Sequence, residues 1–110
     1  MFKRKPFYLY DLKIELIEIK GELGTQDGKI GDYFTLSGEN LSFPDNQIFS
    51  IYNLASILPL LPAMQRNVHK NDWMASDNLI TGPDPNCGAI FKITRTKKTK
   101  FYKSETTKSI

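Results

Sequence analysis

Cys87 and His69 are the only side chains in this 110-residue sequence that offer a nucleophile and a base near neutral pH. Covalent catalysis needs such groups within hydrogen-bond reach, one of them tuned by a cation, a metal or burial. His69 lies between Val68 and Lys70 in a polar stretch, and Cys87 lies in a turn, where exposure is expected. They read as a surface histidine and an incidental turn cysteine. Asp32 and Asp84 could pair as acid and base, but each precedes or enters a turn, where an Asp carboxylate accepts from local backbone amides. Trp73 stands in the polar stretch Gln65 to Asp77 and reads as a lid on the core; a ligand-facing aromatic is the alternative. Asp32, Trp73, Asp84 and Asn86 are therefore candidate ligand-contacting residues, and no residue is assigned a catalytic role. One His and one Cys are too few for a transition-metal site, so neither a metal nor another cofactor is expected.

A second chemistry is carried by charge. Arg95, Lys97, Lys98, Lys100 and Lys103, interleaved with Phe101 and Tyr102, could neutralise phosphates and stack on bases. The same segment could lie on an anionic membrane surface. A solvated tail is the default, because the rest of the chain repels a polyanion: residues 6–94 hold six Lys/Arg against eleven Asp/Glu. The net charge of +3 thus describes basic ends on an acidic body. If the last segment continues as a strand, its Lys and Thr residues would protect a sheet edge.

Size and composition fit one globular domain: hydrophobic residues make up 40% of the chain and charged residues 25%. A single cysteine excludes an internal disulfide and fits a reducing, cytoplasmic setting. No apolar run reaches membrane-spanning length, and the basic start Met1 to Pro6 is not followed by the apolar stretch of a signal peptide.

Several elements must position these groups. Tyr8 to Lys20 alternates with period two, then slips phase at Ile17, which predicts a strand with either a bulge or burial on both faces; a helix is the rival. Gly21 to Gly31 is a loop, and Gly31 to Leu36 a turn feeding a short strand closed by Ser37 to Asn40. Pro44 and Asp45 open a helix expected over Asp45 to Leu58, capped by Ser42 or Asp45, with Ile48, Ile51, Tyr52, Ala55 and Leu58 as its core stripe and Phe49 widening it. Pro59 and Pro62 end it, with Leu60, Leu61 and Met64 as an irregular apolar turn. Asn78 to Thr81 and Ala89 to Thr96 form a hairpin around a stiff Asp84-Pro85-Asn86 turn, with Gly88 taking positive φ.

The order Lys20-Gly21, Gly31-Asp32-Tyr33-Phe34, a Pro-led helix, Trp73, Pro83-Asp84-Pro85-Asn86 and Ala89-Ile90-Phe91-Lys92-Ile93-Thr94-Arg95 resembles an uncharacterised family of small prokaryotic proteins. The resemblance covers residues 9–96 and implies a fold, with no assigned activity. Members of that family typically carry Cys where Leu23, Phe43 and Gly82 stand here, and a His before the Gly-Asp turn. Any thiol or metal chemistry of those relatives is therefore not expected of this chain, and Cys87 matches none of their positions.

The sequence thus predicts an α+β domain with a small, mostly antiparallel sheet of about four strands packed on one main helix. A basic arm over residues 1–7 precedes the domain at 8–96, and a basic, disordered tail over 97–110 follows it. The expected role is a non-catalytic interaction or ligand-binding module that self-associates through a sheet edge. Nucleic-acid binding through the basic tail is the alternative, and a small enzyme with a cleft near Asp32 and Asp84 is the third reading.

Overall fold

Two long antiparallel strands, β1 (Phe7–Ile19) and β5 (Ala89–Phe101), form the spine of the computed structural model, which describes residues 5–108. β2 (Tyr33–Ser37) and β3 (Asn40–Ser42) flank β1, and β4 (Leu79–Thr81) flanks β5, giving a five-stranded antiparallel sheet in the order β3-β2-β1-β5-β4. The fifth strand arises where the sequence suggested only a closing turn. Gly38, at φ 59°, lets the chain reverse between Ser37 and Asn40, which pair directly.

Register explains the core. Leu12 pairs with Leu36, Ile14 with Phe34 and Ile93, and Leu16 with Phe91, so these side chains share one face. The opposite face carries Lys13, Glu15, Tyr33 and Lys92, as befits an antiparallel sheet wetted on one side. The phase slip in β1 is a bulge: Leu16 and Glu18 oppose consecutive residues of β5, with Ile17 extra. A second irregularity at Asp11/Leu12 skips Thr96 of β5.

The main helix is shorter than the sequence suggested. α1 spans Ile51–Ile57, and Ser50, not Ser42 or Asp45, accepts from the Asn53 N–H at 3.4 Å as its cap. Asn46 has φ 62°, which no helix tolerates, and Gln47 is tied to β2, accepting from the Tyr33 N–H at 3.0 Å and donating to its carbonyl at 2.7 Å. Residues 44–50 therefore run along the sheet as a strap. Phe49 turns inward, meeting Phe34 edge-on at 5.0 Å and Phe91 at 5.7 Å, while Ile48 faces out. The expected core stripe is corrected accordingly: Ile48, Ile51, Tyr52, Ala55 and Leu58 are exposed. The inward positions are Asn53, Ile57, Leu61 and Met64, a helical spacing carried across Pro59 and Pro62 by a 3-10 turn (Leu58–Leu60) and α2 (Leu61–Met64). Each proline stands in the first turn of its own short helix, where a missing N–H costs nothing.

The segment expected to be a disordered tail is instead the outer half of β5. Lys97 to Phe101 pairs with Phe7 to Asp11, and α3 (Lys103–Thr106) follows. Partner strand β1 supplies every ladder acceptor there, so a Lys/Thr-rich sequence is held extended without an apolar pattern of its own. Residues 1–4 of the expected arm and residues 109–110 of the expected tail lie outside the described residues. Among the described residues no helix is long and apolar enough to cross a membrane.

Candidate functional site

The turn aspartates are engaged with backbone. Asp84 Oδ1 accepts from the Asn86 N–H at 2.8 Å, and the Asp84 carbonyl accepts from Gly88 N–H at 3.1 Å, with Gly88 at φ 58°. Asp32 Oδ2 accepts from the Lys29 N–H at 2.8 Å. A hollow of about 340 Å³ lies beside Asp32 under the strap, lined by Thr25, Lys29, Asp45 and Gln47, and neither Asp84 nor Trp73 lines it. Trp73, in a 3-10 turn (Trp73–Ala75), is half exposed; its neighbour Met74 is the residue that packs on the core. Of the four candidate ligand-contacting residues, Asp32 alone lines this hollow, while Asp84 and Asn86 sit together in the hairpin turn.

Cys87 is buried, contrary to the expectation of an exposed turn thiol. The hairpin turn folds over the end of β1, where Lys20 and Gly21 donate to the Cys87 carbonyl at 3.2 and 2.9 Å. That docking carries the thiol inward, to 3.7 Å from the Asp84 carbonyl. His69 is exposed and its Nδ1 accepts from the Asn71 N–H at 3.1 Å. Among the described residues no three His, Cys, Asp or Glu side chains gather as a metal site.

The basic set is reorganised by strand pairing. Tyr8 pairs with Lys100, Tyr10 with Lys98 and Leu12 with Arg95, so Tyr8, Tyr10, Arg95, Lys98 and Lys100 share one side of the β1–β5 ribbon. Lys97 is on the other side with Asp11 and Thr99, and Lys103 opens α3. Phe101, expected among the stacking aromatics, also points to the other side, where it meets Phe7 at 5.9 Å and covers Gly38. The aromatics among the cations are Tyr8 and Tyr10. Arg95 lies over the Tyr10 ring at 5.5 Å and Lys98 Nζ at 5.2 Å, both within cation–π range.

Arg95 is fixed in place. Its Nε donates to the Met64 carbonyl at 2.8 Å and Nη2 to the Met74 carbonyl at 3.2 Å. These neutral acceptors orient the guanidinium without cancelling its charge. Arg66 is held likewise, by Nη1 to the Pro62 carbonyl at 2.8 Å, and Tyr10 Oη donates to Asn67 Oδ1 at 3.3 Å. Tyr10, Arg66, Asn67, Val68, Ala75 and Arg95 enclose a shallow hollow of about 160 Å³. Among the described residues the ion pair within bonding distance is Lys13–Glu15 at 3.6 Å, on the opposite sheet face. Sequence reasoning found Arg95, Lys98 and Lys100 but missed Tyr8, Tyr10, Arg66 and Asn67. The tyrosines alternate in step with β1, a signal that gains meaning only once β5 is known to pair there; Arg66 and Asn67 carry no local signal. Comparison with protein-family models, curated proteins and solved structures finds no match.

Proposed function

We propose that this protein is a non-catalytic binding module, and that its ligand is a single-stranded nucleic acid held on the ribbon face of Tyr8, Tyr10, Arg95, Lys98 and Lys100. The observation behind this reading is the pairing that interleaves two tyrosines with three cations on one strand-built surface. Cations neutralise phosphates and release counterions, while Tyr rings accept bases by stacking, which is tolerant of sequence. The engagement of Asp32 and Asp84 in turns, and the burial of Cys87, favour binding over catalysis.

Fluorescence anisotropy with a labelled single-stranded oligonucleotide tests the proposal. Affinity is expected to fall steeply with salt, and Lys98→Ala with Lys100→Ala should flatten the slope of log K against log salt by roughly 0.7 per lost phosphate contact. Tyr8→Ala, at a half-exposed side chain, should weaken binding by about 5-fold or more through lost stacking. Absence of binding at low salt, or binding indifferent to these substitutions, rejects it.

Self-association through a sheet edge is the second reading. β4 covers β5 only from Ile90 to Lys92, so the outer edge from Thr94 to Phe101 has no strand beside it among the described residues. The lysines along it oppose a second copy. Sedimentation over a range of concentrations distinguishes the two: a dimer whose affinity rises with salt supports the edge contact, and a monomer at all concentrations removes it.

A further inference from the structure

We infer that the hollow bounded by Tyr10, Arg66, Asn67 and Arg95 seats one phosphate group, the terminal phosphate of a strand lying along the ribbon. This rests on the nucleic-acid reading above and adds an end preference to it. At about 160 Å³ the hollow is smaller than the roughly 300–1,000 Å³ of clefts that enclose a whole small molecule, so it suits a group and not a nucleoside.

Its donors come from two segments far apart in sequence, Arg66 and Asn67 just after α2 and Arg95 on β5. Arg95 spends Nε and one Nη2 hydrogen on the Met64 and Met74 carbonyls, which leaves Nη1 without an acceptor among the described residues. Arg66 uses Nη1 on Pro62 and keeps Nη2 and Nε. With Oδ1 on the Tyr10 hydroxyl, the Asn67 amide presents its NH2. No carboxylate lines the hollow. The acids nearest in sequence to Ala75 are turned to other work: Asp72 Oδ1 accepts from the Met74 N–H and Asp77 Oδ1 from the Ser76 hydroxyl. Two oriented guanidiniums and an amide match the three oxygens of a phosphate monoester, which bears more charge than an internal phosphodiester. Lys98 and Lys100 then continue the cationic track along β5 for the following phosphates.

The test compares one labelled single-stranded oligonucleotide in three forms: 5′-phosphorylated, 3′-phosphorylated and unphosphorylated. One phosphorylated form is expected to bind about 10-fold tighter than the unphosphorylated form, as charge-assisted hydrogen bonds to a terminal group require. In Arg66→Ala/Asn67→Ala, both at exposed positions, the ratio between the forms should collapse towards one. Equal affinity for all three forms in the native protein overturns the phosphate seat and leaves the ribbon reading intact. If no form binds, the ribbon reading fails, and the seat is judged alone by titrating inorganic phosphate while following the Asn67 side-chain amide by NMR. A saturable shift that the double variant loses supports the seat for free phosphate; no shift overturns it.

Discussion

The side-chain amide of Gln65 donates to the carbonyl of Gly38 at 2.8 Å, inside the protein. Gln65 is buried, and its own carbonyl accepts from the Tyr10 N–H at 2.7 Å. It therefore stands where β2 would continue if it were longer, satisfying the edge of β1 beyond Ser37 and the tip of the β2–β3 hairpin together. Strand alternation puts Leu9 on one side of the ribbon and Tyr10 on the other. Gln65→Leu keeps the volume but leaves the buried Gly38 carbonyl unpaired, and should destabilise by about 1–3 kcal/mol. Urea denaturation at constant m-value measures it; an unchanged midpoint would show that the hydrogen bond contributes nothing net.

Gly21 is packed so closely beneath the hairpin turn that an added Cβ would collide with the Asn86 carbonyl oxygen. A backbone atom has no rotamer by which to withdraw, and the turn is itself pinned by the Lys20 and Gly21 N–H groups on Cys87. Gly21→Ala is expected to cost about 1–3 kcal/mol, and to loosen the turn selectively. Thermal unfolding gives the loss, and hydrogen exchange at Gly21 and Gly88 shows whether it is confined there.

Removing residues 97–110 strips β1 of its partner from Phe7 to Asp11. The truncated chain should lose the burial of Leu9, worth about 1.5–3 kcal/mol, and show faster exchange and proteolysis before Leu12. A truncated chain as stable as the parent would contradict the pairing. Point substitutions at Lys98 and Lys100 are for this reason the cleaner probe of binding.

Burial of Cys87 makes a prediction independent of any ligand. A disulfide reagent should label the native thiol about 100-fold more slowly than the unfolded one, because reaction waits on opening of the hairpin turn. Gly21→Ala, which loosens that turn, should accelerate labelling. Labelling of the native protein at the unfolded rate would place the thiol outside.

What the sequence determined was local. Period-two alternation made Tyr8 to Lys20 a strand and marked its bulge at Ile17, and Asp84, Pro85 and Gly88 specified their turn, because backbone geometry at those positions depends on the residues themselves. The α+β class and antiparallel pairing followed from the same signals. Tertiary structure decided the rest. Ile48, Ile51 and Tyr52 have helical spacing, yet the strap held by Gln47 on Tyr33 delays the helix to Ser50 and turns that stripe outward. Lys97 to Phe101 lacks an apolar period, so only its ladder with Phe7 to Asp11 makes it a strand. Tyr10, Arg66 and Arg95 meet because α2 ends beside the bulge between β1 and β5, a juxtaposition of distant segments that no short stretch of sequence encodes.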